Sequence, residues 1–390
     1  MFVTPLFKLM AEKQASDLFF TTGAPIQIKI NGTVMPVNSQ KLDAAQVKQI
    51  CYELMSPEQI REFEEIHEMN FARRGEAGPD GAVGNFRINI FQQRNTVSMV
   101  VRFIKPDVPA FDSLGLPTIL KEVIMEKLGL ILIVGSTGSG KSTTMASMID
   151  YRNSVRSGHI LTIEDPVEFA FQHKKSIVNQ REVRVDTRTY EAALISAMRE
   201  APDLLMIGEV RDKETLQSAL LFAQTGHLCM TTLHANNSYN ALNRIVNFFP
   251  RDMRDAVLAD LAIGVRCVIS QRLVRTADGR RVPAVEVLLN TKFIQELIAK
   301  GDLSAIKEAM EQSMAPGSQT FEQALFKHYM AGTITLDEAL ANSDSPTNLR
   351  WLVDNAIKKD DKSGASAASD GASKPQEDIT SIKINLDALG

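Results

Sequence analysis

The sequence predicts an α/β protein in which a small mixed α+β domain precedes a larger domain built on a mainly parallel sheet. From about residue 119 to 280, apolar strand-like runs alternate with helical ones, which is typical of a parallel sheet covered by helices on both faces. Four short apolar runs are the candidates for buried strands: 130–134, 160–163, 204–207 and 228–231. A chain of 390 residues exceeds the usual size of one compact core, so we expect more than one domain.

The first domain, residues 1–105, carries mixed patterns. Its first ten residues predict an amphipathic helix, and residues 26–30 alternate before Asn31-Gly32, a dipeptide that favours a tight hairpin turn. Of two helices that follow, the second is predicted to begin at Ser56, with Gln59 completing a capping box. The remaining predicted elements are a strand at 34–37, a helix near 43–55, and strands at 86–91 and 97–104.

The later part of the chain divides by composition. Residues 106–118 contain prolines and little periodicity, which predicts a linker. The larger domain is predicted to cover 119–284, and a helical region, with a cap at Thr335, to cover 285–358. Residues 359–390 are rich in small and charged residues and cannot bury enough apolar surface to offset chain entropy, so we expect a disordered tail.

Bulk composition disfavours several classes of protein. A hydrophobic content of 44% and a net charge of −4 provide no overall basic field, so no nucleic acid partner is expected. The three cysteines are far apart and form no C-x-x-C pair, which favours a reducing, cytoplasmic setting over a disulfide framework or a zinc ribbon. No run approaches the roughly 18 to 20 uninterrupted apolar residues of a membrane span, so we expect no transmembrane segment.

A phosphate-binding loop is predicted at residues 135–142, which read Gly-Ser-Thr-Gly-Ser-Gly-Lys-Ser between a strand-like run and a helix-like one. Glycines let backbone N–H groups point at phosphate oxygens, and the following helix adds its positive end. Lys141 is expected to contact the β- and γ-phosphates of ATP, and Ser142 to place its hydroxyl on Mg²⁺. A chance match has a probability of about 1%. The predicted nucleotide-binding residues are Gly135, Ser136, Thr137, Gly138, Ser139, Gly140, Lys141, Ser142 and Thr143.

Two acidic residues follow other strand candidates. Glu164 comes directly after 160–163, and Glu209 follows 204–207 after one glycine. Ligands of open α/β sheets bind at the carboxyl ends of strands, and phosphoryl transfer to water needs metal support and a group that orients the nucleophile. Each acid alone is equally well explained as a solvated loop residue, but two at equivalent strand ends favour a role in catalysis.

Two histidines flank the last strand candidate, with His227 before 228–231 and His234 after it. A lone histidine at a strand end is more often structural than catalytic. Here we interpret one of the two as a sensor that hydrogen-bonds the γ-phosphate and the other as a contact to a neighbour.

An arginine pair is predicted in the first domain. If residues 86–104 form a hairpin that turns on Arg94-Asn95, paired positions sum to 189, and Arg87 lies directly opposite Arg102. Because like charges placed opposite each other destabilise a sheet, we expect an anion to join them, such as the γ-phosphate bound by an adjacent subunit. The alternative is a different register with two solvated arginines.

Together these segments resemble the secretion-type hexameric ATPases and, within them, the retraction motors of type IV pili, from residue 1 to about 350. The resemblance rests on four motifs: the Walker A segment 135–142, the acidic box 162–168, the Walker B segment 203–212 and the histidine box 225–234. It implies a homohexamer in which ATP lies between an N-terminal PAS-like domain and a RecA-like domain.

The resemblance also implies roles for the candidate residues. Glu209 corresponds to the catalytic glutamate that activates water, Glu164 to a helper of metal and water, and Arg87 and Arg102 to the arginines that reach the phosphates. It implies a motor that acts on the inner-membrane platform protein of the pilus from the cytoplasmic side.

Two features distinguish the branches of this family. The chain lacks the tetracysteine zinc insert of assembly and type II secretion ATPases, so it resembles the retraction branch. Residues 292–300 depart from the Ala-Ile-Arg-Asn-Leu-Ile-Arg-Glu segment of the principal retraction motor, and this departure, with the long tail after Trp351, is similar to the accessory motors, which work with a partner retraction ATPase. Two other hypotheses remain open at this point: a regulatory or scaffolding subunit, and a RecA-like DNA translocase that would use the basic cluster Arg181, Arg184 and Arg188.

Overall fold

A computed structural model describes residues 2–13, 15–30, 32–76, 83–104, 108–312 and 315–367. The described chain forms an α/β structure with one six-stranded and one seven-stranded sheet, which confirms the predicted class. No helix among the described residues is long and apolar enough to cross a membrane. The rest of the predicted tail, from residue 368, lies outside the described part.

The first sheet is antiparallel throughout and has the strand order β3-β2-β1-β6-β5-β4. Apolar residues of its strands and of the N-terminal helices form one core. The capping box of Ser56 and Gln59 is present. The elements are α1 (Thr4–Glu12), β1 (Asp17–Phe20), β2 (Pro25–Ile30), β3 (Thr33–Lys41), α2 (Ala44–Leu54), α3 (Pro57–Ile66), β4 (Glu68–Glu76), β5 (Val83–Gln93) and β6 (Thr96–Ile104).

The predicted arginine hairpin is confirmed. Arg94 and Asn95 have positive φ angles of 45° and 59°, as a two-residue hairpin turn that matches strand twist requires. Strands β5 and β6 pair with Arg87 directly opposite Arg102. Strands β1 and β4 were not predicted, because β1 has only four residues and β4 is largely polar.

The second sheet has the order β13-β12-β7-β11-β10-β8-β9, and every neighbouring pair is parallel except β12 with β13. Successive residues of β7 enter two different cores, one on each face of the sheet. The elements are α4 (Ile119–Val123), β7 (Gly129–Val134), α5 (Lys141–Val155), β8 (Gly158–Glu164), β9 (Ser176–Glu182), α6 (Tyr190–Ala197), β10 (Leu204–Ile207), α7 (Lys213–Gln224), β11 (Leu228–Leu233), α8 (Ser238–Asn247), α9 (Arg254–Gly264), β12 (Val265–Arg275) and β13 (Arg281–Leu289).

The C-terminal region is helical, but its limits differ from the predicted 285–358. Strand β13 crosses residue 285 because its apolar residues pair with β12, so the helices begin at Lys292. The last helix continues to Ala367, past residue 358. The predicted cap at Thr335 is present. The helices are α10 (Lys292–Lys300), α11 (Ile306–Gln312), α12 (Phe321–Met330), α13 (Leu336–Ala341) and α14 (Pro346–Ala367).

Candidate nucleotide-binding and catalytic site

The candidate residues converge at the carboxyl ends of four adjacent strands. The phosphate loop follows β7, His234 follows β11, Glu209 follows β10, and Glu164 ends β8. These side chains line one cavity of about 760 Å³, which extends to the arginines of the first sheet. The parallel topology therefore brings together motifs that lie up to 99 residues apart along the chain, from 135 to 234.

The phosphate loop is held in a compact conformation. Gly138 and Gly140 have φ angles of 78° and 88°, which side chains rarely adopt. A Cβ on Gly135 would lie 2.4 Å from the Ser139 hydroxyl oxygen, so no larger residue fits there. The Lys141 Nζ donates to the carbonyl oxygens of Gly135 and Ser136, at 2.9 Å each.

One strand outside the predicted site supports the loop. The Gln271 side-chain amide, on β12, donates to the Ser139 carbonyl at 2.8 Å and accepts from the Thr144 hydroxyl at 2.7 Å. Sequence analysis missed Gln271, because it lies more than 120 residues after the loop and belongs to no motif there.

The loop fits a bound phosphate. The buried Ser139 hydroxyl has no hydrogen-bond partner among the described residues. Burial lowers the pKa of Lys141, and the nearby carboxylates of Glu209 and Glu168 partly oppose that shift. The buried Lys141 ammonium lines the cavity, where a bound anion would stabilise its charge.

A divalent cation also fits, with few protein ligands. The Ser142 hydroxyl and the Glu164 carboxylate border the same cavity. Among the described residues, no group of three or more His, Cys, Asp and Glu side chains is arranged so that it could hold a metal ion by itself. This donor set suits Mg²⁺, which uses one or two protein oxygens together with substrate phosphates rather than an all-protein cage.

Glu164 is the most deeply buried acid of the cavity, with 5% of its surface exposed. Its carboxylate accepts from the Thr162 hydroxyl at 2.6 Å and from the Gln180 amide at 3.2 Å. Burial nevertheless outweighs these donors and raises the pKa of Glu164 to about 7. Its charge therefore changes within the physiological range.

We expect a Glu164→Gln variant to gain stability relative to the wild type as the pH rises. Because folding raises the pKa of Glu164, the wild type keeps the full benefit of the protonated group below about pH 4.5 and loses it as pH rises through about 7. The neutral amide does not titrate, so its relative advantage should grow by about 3 kcal/mol between pH 4.5 and pH 8.

Thermal unfolding of the nucleotide-free variant and wild type across that pH range measures the difference. A Glu62→Gln variant is the control, since it makes the same side-chain change at an exposed position of α3. A constant difference between Glu164→Gln and the wild type at all pH values would contradict the raised pKa.

Glu209 is held by two side chains. Its Oε1 lies 3.1 Å from the His234 Nε2, and its Oε2 accepts from the Arg211 Nε at 2.8 Å. Arg211 in turn lies 3.9 Å from Asp165. The carboxylate of Glu209 is thus oriented by a histidine from the next strand and an arginine from its own loop, and it faces the cavity.

The arginine pair lines the same cavity as the phosphate loop of its own chain. Arg102 donates to the buried Asp17 carboxylate at 2.9 Å, and Arg87 lies 3.8 Å from Glu168 in the acidic loop after β8. Both arginines line the same cavity as Lys141. Two carboxylates of the same chain therefore lie beside the two arginines, and their expected contact with a phosphate bound by an adjacent subunit stays a prediction.

The two histidines are not brought together. His227 lies directly before β11, at the amino end of that strand, whereas the cavity lies at the carboxyl ends. Its carbonyl accepts from the Gly129 N–H at 3.1 Å, and its ring packs against Phe222. At about 3.3 Å per residue, it is roughly 20 Å from His234. His227 therefore does not line the cavity, and a direct role there is excluded by this geometry.

Sequence analysis also missed Tyr190 as a cavity residue. It begins α6, and burial raises the pKa of its hydroxyl, with Asp165 adding to the shift. No motif marks it, because its position depends on how α6 packs beneath the acidic loop.

The basic cluster proposed for nucleic acid is partly neutralised, since Arg181 pairs with Glu200 at 2.8 Å.

The parallel sheet, the phosphate loop and the carboxylates at the strand ends define a P-loop nucleotide hydrolase. The family model described as "Type II/IV secretion system protein" matches residues 1–342. The chain is 47% identical to the type IV pilus ATPase PilU of Pseudomonas aeruginosa over 89% of this chain and 90% of that one. It is 37% identical to the retraction ATPase PilT of the same organism, over 89% and 99% of the two chains.

Among solved structures, the chain is similar to a crystal structure of the pilus retraction motor PilT with bound ADP. The TM-score is 0.82, with 40% sequence identity over 90% of this chain and 99% of that one. The chain belongs to the type II/IV secretion system protein family and, within it, to the type IV pilus retraction ATPases. It is an ATP-hydrolysing enzyme of that family.

Proposed function

We propose that this chain is the accessory motor ATPase of type IV pilus retraction, and that it assembles as a homohexamer and powers twitching motility together with a partner retraction ATPase. The observation that carries the proposal is the meeting, in one cavity, of the phosphate loop, the Glu209–His234 pair and the two arginines of the first sheet. Such a cavity can couple hydrolysis to movement of one domain against the other, since both domains contribute to it.

The proposed roles follow from the contacts. Glu209 orients and deprotonates the attacking water, and His234 and Arg211 hold its carboxylate in place. Lys141, Arg87 and Arg102 offset the negative charge of the phosphates. His227 lies at the amino end of β11, away from the cavity, and we assign to it the second of the two predicted histidine roles, a contact with a neighbour.

Mg²⁺ would be held by the Ser142 hydroxyl, with Glu164 directly or through water, and would neutralise charge on the β- and γ-phosphates. The phosphate-contacting residues are Gly135, Ser136, Thr137, Gly138, Ser139, Gly140, Lys141, Ser142 and Thr143.

The first domain is proposed to be PAS-like and the second RecA-like, with the linker at 106–118. The motor is placed in the cytoplasm, peripherally at the inner-membrane platform protein of the pilus.

Deletion of the gene tests the function. We expect surface twitching to be lost or strongly reduced and the number of surface pili to stay the same or rise, because retraction fails while assembly continues. Twitching zones and pilus counts are measured with the partner retraction ATPase present and absent. The wild-type chain should restore motility only when the partner is present.

The regulatory alternative predicts a different outcome. A Lys141→Ala chain, produced at wild-type levels, should fail to restore motility if hydrolysis by this chain drives retraction. Full restoration by that variant would instead identify a scaffolding subunit. Unchanged twitching in the deletion strain would contradict a role in retraction.

A further inference from the structure

The loop that carries His234 is anchored from behind by the C-terminal helical region. Residues 234–237 connect β11 to α8, and His234 lines the cavity whereas residues 235–237 do not. The Asn237 amide, on a side chain that is 2% exposed, donates to the Asp344 Oδ2 at 2.7 Å. Asp344 lies between α13 and α14, 107 residues further along the chain.

Arg272, on β12, also holds this loop, and we call Asn237, Arg272 and Asp344 together the anchor. Its guanidinium donates to the other carboxylate oxygen of Asp344, to the Asn342 carbonyl and, at 3.1 Å, to the Asn236 carbonyl. It also stacks on the Phe321 ring, 4.0 Å from the ring centroid. The guanidinium therefore contacts the loop and the helical region at once, in the fork geometry that only arginine provides.

The anchor is buried enough to be rigid. The side chains of Arg272 and Asp344 are 21% and 13% exposed, so their charge-assisted hydrogen bonds face little competition from water. Both oxygens of Asp344 are used, one by Arg272 and one by Asn237. Loss of either donor, Asn237 or Arg272, would leave one oxygen of the desolvated Asp344 carboxylate unsatisfied. That cost favours the single arrangement of the loop in which both donors are in place.

We propose that Asp344 is a positioning residue for hydrolysis, which acts through Asn237 and Arg272 to hold His234 against Glu209. The inference rests on the proposed catalytic roles of His234 and Glu209. It makes the geometry of the active site depend on the helical region, since movement of α13 and α14 displaces Asp344 and releases the loop. A shift of about 1 Å at a catalytic group can cost up to about 100-fold in rate, so a loosened loop is sufficient to slow turnover.

The test measures steady-state ATP turnover of the full chain with Mg²⁺. An Asp344→Asn variant should lower kcat about 10-fold and change KM for ATP less than about 2-fold, because the phosphate loop is untouched. Asn237→Ser is the second variant: serine can still cap α8 but cannot donate to Asp344 as the amide does, and the same loss of kcat is expected. Glu200→Gln is the matched control, since it removes a partly buried arginine partner that has no contact with the loop.

A double-mutant comparison separates positioning from general destabilisation. If Asp344 acts through His234, Asp344→Asn should change kcat less than about 2-fold in a His234→Ala background. Equal losses in both backgrounds, or a loss in Glu200→Gln as large as in Asp344→Asn, would overturn the inference while leaving the proposed function intact. Wild-type turnover of His234→Ala alone would overturn both the inference and the proposed role of His234.

Discussion

A Lys141→Ala variant should lose ATP hydrolysis by about 100- to 1,000-fold, the scale typical of removing a preorganised charge from a transition-state site. Lys141 is 9% exposed, two backbone carbonyls hold its ammonium, and the residue lines the cavity where a phosphate would bind. Removal of a desolvated cation should leave the fold intact, because no carboxylate among the described residues forms a salt bridge with it within 4.0 Å.

Turnover of purified protein under saturating ATP and Mg²⁺ measures this effect, and a thermal melt checks the fold. Lys300→Ala is the control, since that lysine is exposed at the end of α10, far along the chain from the loop. Hydrolysis by Lys141→Ala at the wild-type rate would show that the phosphate loop is not the site of cleavage.

An Arg87→Ala variant should reduce kcat by about 100-fold or more, because arginines that contact transferred phosphoryl groups are worth roughly 10³ to 10⁵ in rate. Arg87 has only a 3.8 Å contact to Glu168 and is partly exposed, so it is free to turn towards a phosphate. Arg73→Ala is a control on the adjacent strand of the same sheet, where the arginine contacts the Leu54 carbonyl.

The same variant decides whether the arginine serves its own chain or a neighbour. Arg87→Ala and Glu209→Gln chains, carrying different affinity tags, are co-expressed and purified through both tags. If Arg87 serves the cavity that it lines in its own chain, the mixed assembly should show no activity above that of the separate variants. Recovery of activity in the mixed assembly would instead show that Arg87 completes the site of an adjacent subunit.

The local parts of this structure were predictable from the sequence. Apolar runs located β7, β8, β10 and β11, because a buried parallel strand needs a continuous apolar segment. The phosphate loop and the pairing of Arg87 with Arg102 were also predicted, since each depends on residues close together in the chain. In the same way, the capping box of Ser56 and Gln59 followed from adjacent residues alone.

Elements with weak local patterns were not predicted. Strand β9 was missed because it is an edge strand with polar and exposed positions. Strand β13 was assigned to the helical region from residue 285 onward, and only its pairing with β12 shows that it is a strand. In both cases the strand forms because a partner strand already offers unpaired backbone groups.

The sequence by itself determined the class of this protein, the phosphate loop and the acids at the strand ends, because these are short motifs whose chemistry depends on neighbouring residues. Tertiary structure alone decided that Arg87 lines the same cavity as the phosphate loop of its own chain, that His227 lies outside that cavity, and that Asp344 hydrogen-bonds the loop of His234. Such contacts depend on how whole elements pack, and packing is set by the summed burial of many residues rather than by any local pattern.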